Sequence, residues 1–116
     1  MTTTDIFGRV KTGSGVHFLY GNGFTDGTPT ELKVQDIAGS SIPIGEHLAG
    51  QSIQELAIML SDGSILTTAI LYAKDGGVVA SWRGSERTLR EVYNLEAKQL
   101  SIALEKGMVL KINTAD

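Results

Sequence analysis

The chain contains no cysteine, so disulfides, thiolate catalysis and cysteine-ligated zinc are excluded outright. No apolar run approaches the roughly 18 residues that a membrane-spanning helix needs. The leading Met1-Thr2-Thr3-Thr4 has neither a basic segment nor an apolar core, so no signal peptide is expected. No Asn-x-Ser/Thr sequon occurs either. The expected location is the cytoplasm of the producing cell, or a virion released from it. Basic residues are in deficit: 10 Lys and Arg stand against 13 Asp and Glu, for a net charge of −3 and a pI of about 5.3. That balance argues against nucleic acid or an anionic membrane as the main partner.

Catalytic and ligand-binding motifs are also missing. His17 and His47 are the only histidines, and neither sits in a His-x-x-x-His or His-Glu-x-x-His pattern. A metal site built from His17, Glu46 and His47 is conceivable, but surface or half-buried histidines are the simpler reading. Gly13-Ser14-Gly15 and Gly39-Ser40-Ser41 lack the Gly-x-Ser-x-Gly elbow of a serine nucleophile. Gly21-Asn22-Gly23 has no third glycine and no following helix, so it is not a phosphate cradle. Asp26-Gly27 and Asp62-Gly63 lack the ladder of acidic ligands that a calcium loop needs. No catalytic residue, metal or cofactor is expected.

What is present describes a β-domain. At 116 residues and 12.4 kDa the chain is one domain, residues 1–116, able to bury roughly two-thirds of its unfolded surface. Residues 1–4 and 114–116 carry little to bury and are expected to be loose. Hydrophobic content of 41% with 20% charged residues is ordinary for a globular protein. Ser61-Asp62-Gly63, Lys74-Asp75-Gly76 and Glu105-Lys106-Gly107 each place two polar residues before a glycine. That is the pattern of a three-residue hairpin loop closed by a residue at positive φ.

Strands are expected at Ile6–Lys11 and Val16–Tyr20, and over Glu31–Ile37 with Leu32 and Val34 inward and a bulge at Asp36-Ile37. Residues 21–29 read as a loop. Ile42-Pro43-Ile44 suits an edge strand within an otherwise irregular stretch from 38 to 52. Residues 53–60 and 64–73 are expected to pair across the Ser61-Asp62-Gly63 turn. Both are apolar on both faces in places, which suggests cover from two sides. Val78–Arg83 returns after Lys74-Asp75-Gly76. Leu100, Ile102 and Leu104 are expected to pair with Met108, Leu110 and Ile112 in a last hairpin whose register is fixed by burial. Residues 85–99 fit a strand, and one short helix fits there as well.

Two surfaces offer binding chemistry. Trp82, Arg83, Arg87 and Arg90 gather the only Trp and three of the ten basic residues. Arg and Trp are the residues most enriched in interface hot spots, and both stack on rings. A core Trp beside a solvated charged turn is the plainer reading of the same residues. Asn22, Phe24 and Asp26 form a weaker candidate on the 21–29 loop, where binding residues are common.

The expected fold is therefore mainly β: a single compact antiparallel sandwich or partly open barrel of about eight strands. The expected function is a non-enzymatic structural or interaction module that self-associates, as a phage capsid-decoration or tail protein does. Its partners would be further copies of itself and other subunits of an assembly. The alternatives are a small carbohydrate- or ligand-binding module, for which a glycan is the partner, and a small carboxylate-dependent enzyme or enzyme accessory domain.

Overall fold

The computed structural model describes residues 3–60, 65–83, 92–95 and 102–115. Its elements in chain order are β1 (Thr3–Thr12), β2 (Gly15–Phe24), β3 (Thr30–Gln35), β4 (Ser41–Pro43), a single-turn helix α1 (Ile44–His47), β5 (Glu55–Leu60), β6 (Ile65–Tyr72), β7 (Val78–Arg83), β8 (Val92–Leu95) and β9 (Val109–Ala115). The strands join in one antiparallel sheet in the order β7-β6-β9-β3-β2-β1-β5-β8, with β4 added beside β3. The sheet curls into a half-barrel. No helix among the described residues is long and apolar enough to cross a membrane.

Alternation of side chains along the strands builds the core on the inner face of the curl. Ile6 and Val10 of β1, Leu19 of β2, Leu32 and Val34 of β3, Leu56, Ile58 and Leu60 of β5, Leu66 and Leu71 of β6, and Leu110 and Ile112 of β9 are all buried there. Ile44 and Leu48, at either end of α1, join the same cluster, as do Ile102, Leu104 and Met108. The inward positions of Leu32 and Val34 agree with the sequence pattern. So does the β6–β7 hairpin, which turns with Gly76 at φ +88°. Pro43 lies in an edge strand, as its missing N–H requires.

Five expectations are corrected by the structure. Residues 53–60 and 64–73 do not pair with each other. β5 is flanked by β1 and β8, and β6 by β7 and β9, so neither strand has an edge left for the other. Residues 61–64 lie outside the described residues.

The expected C-terminal hairpin is also replaced. Gly107 takes the anticipated positive φ, +93°, but both edges of β9 are occupied, by β3 and β6. The arm before the turn pairs instead with residues 50–53: Leu104 N–H donates to Gln51 O at 2.7 Å and Ile53 N–H to Ile102 O at 2.9 Å. Leu100 lies outside the described residues.

Residues 21–24 belong to a strand and not to a loop, because β2 runs on to Phe24 and pairs with β1 throughout. The glycines that imitate a loop serve a close approach. A Cβ at Gly21 would meet Leu32 Cδ2 at 2.8 Å and Glu31 O at 2.9 Å, so β3 lies too near for any side chain there. Asp36-Ile37 is no bulge but the start of a tight turn into β4, with Gly39 N–H donating to Asp36 O at 3.1 Å. Lastly, the described parts of the termini are not loose: Thr4 in β1 and Thr114 in β9 are buried. Among the described residues the one helix stands at Ile44–His47, and residues 92–95 of the 85–99 stretch form β8.

Candidate functional site

The same alternation that buries Ile6, Val10 and Leu19 sends their neighbours to the outer face, where Phe7, Phe18 and Tyr20 stand among the charged Asp5, Arg9 and Lys11. Phe7 is 39% exposed, Met59 42%, Phe24 45%, Val16 51% and Phe18 65%. Register places Phe7 between Tyr20 and Met59, and Arg9 between Phe18 and Ala57. Phe7, Arg9, Phe18, Ala57 and Met59 rim a shallow hollow of about 140 Å³ floored by Gly8 and Ile58. The Phe7 and Tyr20 rings tilt together with centroids 5.3 Å apart, a favourable aromatic geometry.

One end of this face is polar and tied down. Tyr20 donates its hydroxyl to Asp5 Oδ1 at 2.6 Å, and Asn22 Nδ2 donates to the same oxygen at 2.8 Å. The hydrogen bond to Asp5 raises the Tyr20 pKa above its ordinary value, with burial and the Asp5 charge adding to it. The other end carries Arg9 and Lys11, the latter opposite Glu55.

A second cluster lies where β2 begins. His17 and His47, thirty positions apart, meet edge to face with ring centroids 5.7 Å apart. Ser14 Oγ lies 2.9 Å from His17 Nε2. Ser14 and Thr12 both donate to Gln51 Oε1, at 2.6 and 2.5 Å. Which of the two donates in the Ser14–His17 contact turns on the His17 tautomer. Burial, and then the neighbouring His47, hold the His17 pKa below its ordinary value. Among the described residues no three His, Asp or Glu side chains gather as metal ligands, so Glu46 does not complete a set with the two histidines. Beside them an open cleft of about 590 Å³ is lined by Val16, His17, Phe18, Val34, Asp36, Ile37 and His47.

The residues singled out in the sequence fall in different places. Trp82 is half-buried and packs against the core, while Arg83 beside it is exposed on β7. Arg87 and Arg90 lie outside the described residues. Asn22 and Phe24 join the outer face of β1, β2 and β5. Asp26 does not: its Oδ1 accepts the Thr28 N–H at 2.9 Å, and hydrogen bonds from Thr28 are the main reason its pKa is lowered. Sequence reasoning missed Phe7, Phe18 and Met59. The available signal was an aromatic residue at an outward position of an alternating strand, as Phe7 is between Ile6 and Gly8.

Comparison of the chain with protein-family models, with curated proteins and with solved structures finds no match.

Proposed function

We propose that this protein is a non-enzymatic interaction module that self-associates, as a subunit of a larger assembly such as a virus particle. The observation that carries the reading is the outer face of β1, β2 and β5, where Phe7, Phe18 and Met59 stand in solvent around one hollow. Scattered apolar side chains are normal on a surface, but a contiguous patch rimmed by charge marks a contact site. A face lined with Phe and Met beside an Arg has the composition of an interface core. The virion setting rests on the Ser/Thr/Gly-rich, cysteine-free β composition.

Light scattering after size exclusion, over a dilution series, tests this. A discrete oligomer is expected; a chain that stays at 12.4 kDa at every concentration overturns self-association.

The cleft beside His17 and His47 favours a second reading, a ligand-binding module. Its volume lies in the range of small-molecule sites, and it combines apolar walls with a few polar groups. Glycan-array binding, with loss on His47→Ala, is its test. No binding by the native protein removes the glycan form of that reading.

A further inference from the structure

We infer that two copies of this chain stack face to face through β1, β2 and β5, about a two-fold axis lying in the interface and crossing the strands at Phe7 and Tyr20. This rests on the self-association proposed above and adds to it a partner surface and an orientation.

The outward residues of β1 run Asp5, Phe7, Arg9, Lys11, so the charge changes sign about Phe7. At a rise of about 3.4 Å per residue, Asp5 and Arg9 stand about 14 Å apart on one strand, too far to pair within a chain. A two-fold axis across the strands at Phe7 lays Asp5 of each copy over Arg9 of the other. The same axis passes through Tyr20, which pairs with Phe7 in register. It then lays Val16 over Phe24 on β2, both of them large apolar residues about half exposed. Two adjacent strands are thus complementary to themselves about one common row. Phe18, in register with Arg9, flanks each ion pair and shields it from water, as the apolar surround of a hot spot does.

An axis running along the strands fails the same test, because it brings both Arg9 side chains to one end and both Asp5 side chains to the other. The charge pattern therefore selects the antiparallel stack, and isologous contacts of this kind close as dimers. The area suits a weak, reversible dimer: at about 3.4 by 4.8 Å per residue, β1, β2 and β5 offer about 850 Å² for a pair of copies, the size of a transient contact.

Four proteins test the inference by sedimentation equilibrium at low salt: native, Asp5→Arg, Arg9→Asp and the double swap. Each single change puts like charges together twice and is expected to weaken the dimer at least about tenfold, consistent with desolvated charge pairs. The double swap restores opposite charges and is expected to return affinity to within about threefold of native. Asp5 also holds Tyr20 and Asn22, so thermal melts check each fold. As an independent measurement, Val16→Cys/Phe24→Cys in this cysteine-free chain is treated with a short bismaleimide. The pair is expected to give a cross-linked dimer and neither single cysteine is. Failure of the swap to restore affinity, or of the cysteine pair to cross-link, in a protein that still self-associates overturns the face or the axis and leaves the broader proposal standing. A native protein that is monomeric throughout removes both.

Discussion

The two limbs of the curled sheet share one inner face and differ on the outside. Over β3, β9 and β6 the outward positions hold Glu31, Lys33, Lys111, Asn113 and Tyr72 beside half-buried Ile70 and Val109, and the Lys111 ammonium covers the Tyr72 ring at 5.6 Å. Over β1, β2 and β5 the equivalent positions hold Phe7, Phe18 and Met59, each more than a third exposed, among Asp5, Arg9 and Lys11. The inner alternation builds the core in both limbs, with register shifts on β6 at Leu66/Thr68 and Leu71/Tyr72. The exposed Phe and Met positions of one limb add little to the core, and the proposed self-association gives them a role. Comparing the limbs separates what holds the fold from what the fold presents.

Substitutions sharpen that comparison. Leu110→Ala, on the inner face of β9 and fully buried, is expected to cost about 2–5 kcal/mol of stability in urea unfolding, the range for a large-to-small core change. A cost below about 1 kcal/mol would mean that the inner face is not the core described here. Gly21→Ala comes next, at about 1–3 kcal/mol, because the new methyl group meets Leu32 and the Glu31 carbonyl. A neutral result would break the account of why glycines occupy β2. Phe18→Asp should leave the unfolding midpoint within about 0.5 kcal/mol of native, as surface changes do. It should still abolish self-association at concentrations where the native protein assembles. Equal loss of stability and assembly would place Phe18 with the core and erase the distinction between the faces.

The smallest expected effect is on pH. Burial and His47 lower the His17 pKa from its ordinary value near 6.5, so the fold favours neutral His17. Its contribution is present above pH 6.5 and is lost as pH falls through the lowered folded value. Melting temperature should therefore fall slightly below pH 6.5, and His17→Gln should flatten that slope. An unchanged slope in the variant would assign the pH dependence to other groups.

The sequence made the class of fold and most of the core legible, because period-two burial is written locally: Leu32 and Val34 alternate inward as read, and Gly76 turns its hairpin as read. Strand partners were not legible. The residues 53–60 and 64–73 carry a hairpin signal between them, yet each strand finds two better neighbours far away in the chain, and pairing is decided by those long-range edges. Gly21 and Gly23 misled for a related reason. A glycine needed for a turn and one needed for the passage of another strand look the same until that strand is placed. At the candidate face, Asn22 and Phe24 stand out in the sequence for their loop-like setting, whereas Phe7, Phe18 and Met59 do not, because an apolar side chain in a strand reads as core. His17 and His47 meet only through the placement of α1 against the start of β2, which no local pattern encodes.

The central claim is that the outer face of β1, β2 and β5 is covered by a second copy. Methionine methyl NMR with a soluble gadolinium chelate reads it directly, since Met59 lies on that face and Met108 is buried in the core. The account predicts that the Met59 methyl is protected from the chelate at high protein concentration and becomes exposed on dilution, while Met108 stays protected throughout. A Met59 methyl equally accessible at every concentration, in a protein whose mass shows it to be assembled, would contradict it.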